Sequence, residues 1–144
     1  MVKPFTVEML EHSAHSTPDV KAHVDLFNGA LVGITYTGTS KVTKAPSTSD
    51  EIYVILNAQR GDNSYALTYP IAKDDFCDCY KVSEWKGKQL IVTKENIVDA
   101  TVAVGDVLVA DASTFKFKKG SATTGSVSFT VMELDATGVK VLIK

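Results

Sequence analysis

The chain has 144 residues, 44% hydrophobic and 22% charged, with a net charge of −2 and a pI near 5.9. That length suits one domain able to bury about two-thirds of its unfolded surface, and the composition excludes wholesale disorder. The mildly acidic balance opposes general binding to nucleic-acid backbones, which calls for a basic face.

The first residues, Met1-Val2-Lys3-Pro4, are not followed by an apolar run of signal-peptide length. No stretch approaches the roughly 18 apolar residues of a membrane span. The expectation is a soluble product made in a cytoplasm, with no membrane partner. Residues 1–22 are broken by Pro4, Ser13, Ser16, Thr17 and Pro18 and read as an extended N-terminal arm. Thr17-Pro18-Asp19 resembles a helix start and allows one short helix to about Val24. The single β domain is expected over 23–144.

Asn28-Gly29, between Val24–Phe27 and Ala30–Ile34, predicts a type I′ hairpin. Ile34 and Tyr36 then alternate with Thr35 and Thr37 up to Gly38. Thr39 to Asp50, rich in hydroxyls and with one proline, reads as an exposed contact-making loop. Glu51 to Leu56 has the β-branched and aromatic content of a buried strand. Gly61-Asp62-Asn63 turns the chain into a strand over Tyr65–Tyr69 that Pro70 ends. Asp75 to Val82 alternates, with Phe76, Asp78 and Tyr80 opposite Cys77, Cys79 and Lys81. Trp85-Lys86-Gly87-Lys88 is a turn into Leu90–Thr93, and Lys94 to Ile97 forms one helical turn capped by Thr93 and closed by Asn96 and Asp99.

The clearest periodicity is in the last third. Val107–Ala110 is an apolar run, Phe115-Lys116-Phe117-Lys118 alternates, and Val127, Phe129 and Val131 share one face opposite Ser126, Ser128 and Thr130. Val139, Val141 and Ile143 then alternate with Lys140. A period of two between Gly and Asp turns is the pattern of half-buried antiparallel strands. The fold class is therefore all-β, a small barrel or two-sheet sandwich of about nine short antiparallel strands with the arm in front.

Motifs for chemistry are weak throughout. Cys77 and Cys79 lie on one strand face, poorly directed for a disulfide and without the further ligands a metal needs, so they read as reduced, partly buried thiols. His12, His15 and His23, the only histidines, are all read as lying in the arm, where solvated histidines are the natural reading against a two-point metal grip by His12 and His15. Asp74 and Asp75 point to opposite sides and read as a solvated turn, not a glycosidase pair. There is no Gly-x-Ser-x-Gly elbow, and Thr123-Thr124-Gly125-Ser126 lacks the phosphate-loop pattern. Trp85, Tyr80, Phe115 and Phe117 with Lys86, Lys88, Lys116, Lys118 and Lys119 suggest a single-strand stacking platform, but Phe115 and Phe117 opposite the lysines fit core packing better. No enzymatic activity is expected.

A family resemblance lies in Asp75-Phe76 through Tyr80, Trp85-Lys86-Gly87-Lys88, Leu90-x-Val92-Thr93, Ile97, Val104-Gly105-Asp106-x-Leu108, Phe115-x-Phe117-Lys118-Lys119-Gly120 and Phe129-x-Val131-x-Glu133. Over roughly residues 50–144 this pattern resembles the head decoration (cement or auxiliary capsid) proteins of tailed bacteriophages and related small β-rich virion proteins. The resemblance implies a non-enzymatic structural protein with no cofactor, made in the host cytoplasm. Such a protein sits on the outer capsid surface, often as a homo-oligomer, with the major capsid protein as partner. The expected contacts are Pro4, Phe5, Val7, Met9 and Leu10 of the arm, Val42 of the 39–50 loop, and Trp85. The rival readings are a nucleic-acid-binding small barrel using Trp85 and a glycan- or receptor-binding virion module using Trp85 or Tyr36.

Overall fold

The computed structural model describes residues 5–7, 16–47, 51–56, 70–122, 126–136 and 138–144. Pro4, Met9, Leu10, His12, His15, the Gly61–Asn63 turn, the Tyr65–Tyr69 strand and Thr123–Gly125 lie outside them. Thirteen strands form among the described residues, more than the nine or so expected, because several are only two or three residues long. The fold is all-β.

Five strands close into a barrel: β2 (Ser16–Lys21), β5 (Ser40–Lys44), β4 (Leu31–Thr37), β6 (Tyr53–Ile55) and β8 (Phe76–Lys81), in that order. A six-stranded sheet runs β1 (Phe5–Val7), β9 (Gln89–Val92), β13 (Val139–Ile143), β12 (Phe129–Leu134), β10 (Val107–Ala110) and β11 (Phe117–Lys119). A small third sheet pairs β3 (Leu26–Phe27) with β7 (Pro70–Ile71). Every strand pair is antiparallel except β2 with β5.

Period two explains how the layers join. On β6, Tyr53 and Ile55 point into the barrel while Val54, with the flanking Ile52 and Leu56, feeds the larger core between barrel and sheet. On β4, Leu31 goes to the larger core and Val32 and Ile34 to the barrel. Strands covered on both faces read as unbroken apolar runs, which is why Glu51–Leu56 and Ala30–Ile34 look alike in sequence. The larger core is completed from the sheet side by Leu90, Val92, Leu108, Phe117, Phe129, Val131, Val141 and Ile143, all buried. The face chosen for Val127, Phe129 and Val131 is the buried one.

Four local expectations are corrected. Ser16–Lys21 is a barrel strand, not a helix, and Val20 and Ala22 are buried in the barrel core, so the C-terminal end of the 1–22 stretch belongs to the body. Asn28-Gly29 does not join a hairpin. Ala30 N–H donates to Phe27 O at 3.2 Å and positive φ occurs at Gly29 (91°) but not at Asn28, as in a type II turn. The turn is held sideways by Gly29 N–H to Ile55 O and by Ile55 N–H to Ala30 O. Ser40–Lys44, read as loop, is β5. It forms the true hairpin with β4 through the two-residue Gly38-Thr39 turn, where Gly38 has φ 57°. Pro70, expected to lie just past a strand, is itself part of β7 and is its first described residue.

The Thr93 cap is also not made. In the 3-10 turn Lys94–Asn96, Asn96 N–H donates to the Thr93 carbonyl at 3.0 Å and the hydroxyl makes no cap bond. Asn96 instead crosses to the barrel side, where its Nδ2 donates to Gly29 O at 3.1 Å inside the protein. Phe115 and Phe117 do not share a face. Phe115 adopts left-handed φ (61°) and packs against the barrel cluster, its carbonyl accepting from Leu31 N–H, whereas Phe117 enters the larger core edge-on to Phe129.

Asp111 organises that reversal. Its Oδ2 accepts from the Thr114 hydroxyl (2.6 Å) and N–H (3.2 Å), and its Oδ1 pairs with Lys118 at 3.2 Å. The Thr114 hydroxyl bond and the Lys118 charge hold this carboxyl below its ordinary 3.8. A carboxyl depressed in the folded state stabilises the fold above 3.8, and that contribution is lost as pH falls through the folded value. Asp111→Asn is therefore expected to be less stable than the parent at neutral pH, with the gap closing in acid. Denaturant titrations across pH check this; a gap independent of pH would contradict it.

Candidate interaction surfaces

The residues expected to make contacts are scattered. Phe5 and Val7 lie on β1, which pairs along β9 in the register Phe5 with Val92, Thr6 with Ile91 and Val7 with Leu90. Val42 sits half-buried on β5, opposite Thr35 of β4 and next to Lys21 of β2. Trp85 is 2% exposed, part of the larger core, with its ring 5.8 Å from that of Tyr80. It is a packing residue and offers no surface to a base, a sugar or a capsid. With Phe117 buried as well, the aromatic–lysine platform does not exist as a surface.

Of the groups considered for chemistry, those among the described residues make structural contacts or lie in an exposed turn. His23 belongs to the body. Its N–H donates to Thr43 Oγ1 at 3.0 Å, its Nδ1 lies 2.6 Å from the same oxygen, and its ring meets Phe115 edge-on. Burial lowers its pKa, favouring the neutral ring. Cys77 and Cys79 are free, buried thiols facing into the barrel, and Cys77 Sγ donates to Val20 O at 3.2 Å. The hydrogen bond with Cys77, then burial, pushes the Cys79 thiol up, while the same hydrogen bond lowers Cys77; both sulfurs are buried inside the barrel. Asp74 and Asp75 are exposed in a turn closed by Asp74 N–H to Ala22 O and Ala22 N–H to Asp75 O. Among the described residues no group of three His, Cys, Asp or Glu side chains is placed to hold a metal, and no helix is long and apolar enough to cross a membrane.

What the sequence reading missed is an exposed apolar cluster at one end of the larger sheet. Val104 (63% exposed), Val107, Met132 and Leu134 all present side chains to solvent. A β-bulge places Met132 between the pairs Val131–Val141 and Glu133–Lys140 and shifts the phase of β12, so that Leu134 pairs with buried Val139 and shares its face at the strand end, where it stays 42% exposed. Gly105 N–H donates to Val131 O at 2.8 Å and brings Val104 beside the bulge. Leu134 continues into a cleft of about 380 Å³ shared with Ile97, Val98, Val102 and Val139. Ion pairs edge the cluster, Lys119 with Asp106 at 3.3 Å and Lys140 with Glu133 at 3.7 Å. The only sequence signal was that Leu134 falls off the period set by Val127, Phe129 and Val131.

A second feature lies on the barrel. Tyr36 is 58% exposed at the end of β4, its hydroxyl 3.4 Å from that of Tyr53, and Phe76 is equally exposed on β8. Phe76 borders an open groove at the β2–β5 seam.

Comparisons with protein-family models, curated proteins and solved structures found no match.

Proposed function

We propose that this chain is a non-enzymatic structural protein of a bacteriophage virion that binds the outer capsid surface and stabilises the shell. The observation that carries the reading is the set of exposed apolar side chains Val104, Val107 and Met132, with Leu134 lining the adjoining cleft and ion pairs nearby. Contiguous exposed apolar side chains with a polar rim are the mark of a protein–protein contact. The β1 strand at the free side of β9 adds a second adhesive element, since main-chain ladders can be extended by a neighbour's strand. Weak single contacts suffice on a repeating lattice, where avidity multiplies them. The sequence resemblance to decoration proteins supports the same reading, with the major capsid protein as partner.

The test is co-sedimentation with purified shells lacking the protein. Met132→Glu with Leu134→Glu is expected to weaken binding by about tenfold or more while leaving the fold intact, because both side chains are already exposed. A second variant removes residues 1–15, stopping before β2 so that the barrel keeps all five strands, and is expected to bind more weakly as well. If both variants sediment like the parent, neither surface holds the shell.

A further inference from the structure

We infer that His23 is an acid-operated latch between the barrel and the larger sheet, releasing the turn that carries Phe115 when its ring takes up a proton. Three elements meet at this ring. His23 lies just after β2, Thr43 belongs to β5, and Phe115 ends the turn that follows β10. His23 N–H donates to Thr43 Oγ1 at 3.0 Å, its Nδ1 lies 2.6 Å from the same oxygen, and its ring meets Phe115 edge-on with centroids 5.6 Å apart. The Phe115 carbonyl in turn accepts from Leu31 N–H at 2.8 Å, a bond that ties the turn to β4. Phe115 holds its left-handed φ of 61° in this closed arrangement, a conformation costly for a bulky side chain, so the turn gains by release.

The proton count at Thr43 decides which form of the ring fits. His23 N–H takes one lone pair of Oγ1, and the hydroxyl has a single proton to give. Given to Nδ1 across 2.6 Å, that proton assigns the neutral ring with its hydrogen on Nε2. An imidazolium carries hydrogens on both nitrogens and would aim a second donor at Oγ1. The hydroxyl proton would then need another acceptor, from a side chain only 2% exposed. Burial of the ring acts in the same sense and lowers its proton affinity.

Charged groups on the neighbouring elements do not rescue the proton. On β5, Lys44 alternates with Thr43 and its side chain lies over Gly33. In the turn, the Asp111 carboxyl is engaged by Thr114 and Lys118, and Lys116, next after Phe115, is a cation that can only oppose the charge. On the segment of His23 itself, Lys21 lies over the Phe76 ring and Asp25 accepts from Lys73 N–H. Asp74 and Asp75, joined to Ala22 through their backbones, are exposed. Burial is accordingly the one cause of the lowered proton affinity, with no charge contributing among the described residues. A solvated ring binds the proton better than the latched one, so opening is favoured as pH falls below the ordinary 6.5 and levels off below the latched value. The Asp111 carboxyl, held below 3.8, changes charge outside this window.

The test needs no capsid, only the isotopically labelled full chain compared at about pH 7 and about pH 5 by nuclear magnetic resonance. Imidazole shifts give the His23 titration, and hydrogen exchange corrected for the intrinsic rate gives the protection of Leu31 N–H. His23 is expected to titrate below 6.5, and Leu31 protection to fall on acidification by up to about tenfold for each unit of that lowering. His23→Gln is expected to abolish the fall. Should that variant misfold, Phe115→Gly, which adopts the same φ without strain, is the second probe. It uncovers the ring and is expected to return the titration towards 6.5 and flatten the fall. A His23 titration at or above 6.5, Leu31 protection indifferent to pH, or the same fall in His23→Gln would each overturn the latch.

Discussion

Trp85→Ala is expected to lower the unfolding free energy by about 3–5 kcal/mol, among the largest effects of any single truncation in this protein. The side chain is almost wholly buried, it closes the short 3-10 turn Val82–Trp85, and it stacks on Tyr80 of the barrel strand β8 from the larger core. Removing it deletes the ring that spans barrel and sheet, and the neighbouring strands, fixed in two ladders, can collapse only partly into the space. Equilibrium denaturation by urea, followed by intrinsic fluorescence of the tyrosines and by far-ultraviolet circular dichroism, measures the loss. A cost below about 1 kcal/mol would mean that the ring is not the packing element described.

Phe129→Ala should cost a similar amount, about 3–5 kcal/mol. Phe129 is 1% exposed at the start of β12 and meets Phe117 edge-on at 4.8 Å between centroids, an arrangement that contributes beyond the buried area. Three positions on, Met132→Ala is expected to change stability by less than about 0.5 kcal/mol, since that side chain lies on the solvent face of the strand. The contrast between the two substitutions reads out which face of β12 is buried. Equal costs would contradict that assignment.

The fold class was legible because the sheet strands carry their burial in a period of two. Val139, Val141 and Ile143 are buried, and Val127, Phe129 and Val131 point inward as their spacing requires. The two barrel strands that went unread fail that pattern for physical reasons. β5, Ser-Lys-Val-Thr-Lys, turns Thr43 inward, and the hydroxyl is satisfied by His23, so its buried face is polar. β2 contains Pro18 and Asp19, which signal a turn in isolation and here form a bulge. Asn28-Gly29 misled because a turn signal fixes local backbone, while the partner of the flanking strands is set by packing; β3 pairs with β7, some forty residues on.

The surfaces were less legible than the core. Trp85 drew attention as a large aromatic beside lysines, yet the turn that carries it faces inward. Val104, Val107 and Met132 have no shared spacing; the turn at Gly105, bonded to Val131, brings Val104 beside β12. The β2–β5 groove depends on strands that the sequence did not announce as neighbours.

The most direct measurement is the number of copies of this protein per purified virion, by quantitative mass spectrometry against the major shell subunit. A protein that coats the shell will be present in fixed proportion to that subunit and will be lost in step when Met132 and Leu134 are both made glutamate. A handful of copies per particle, or none, would contradict the capsid-surface role.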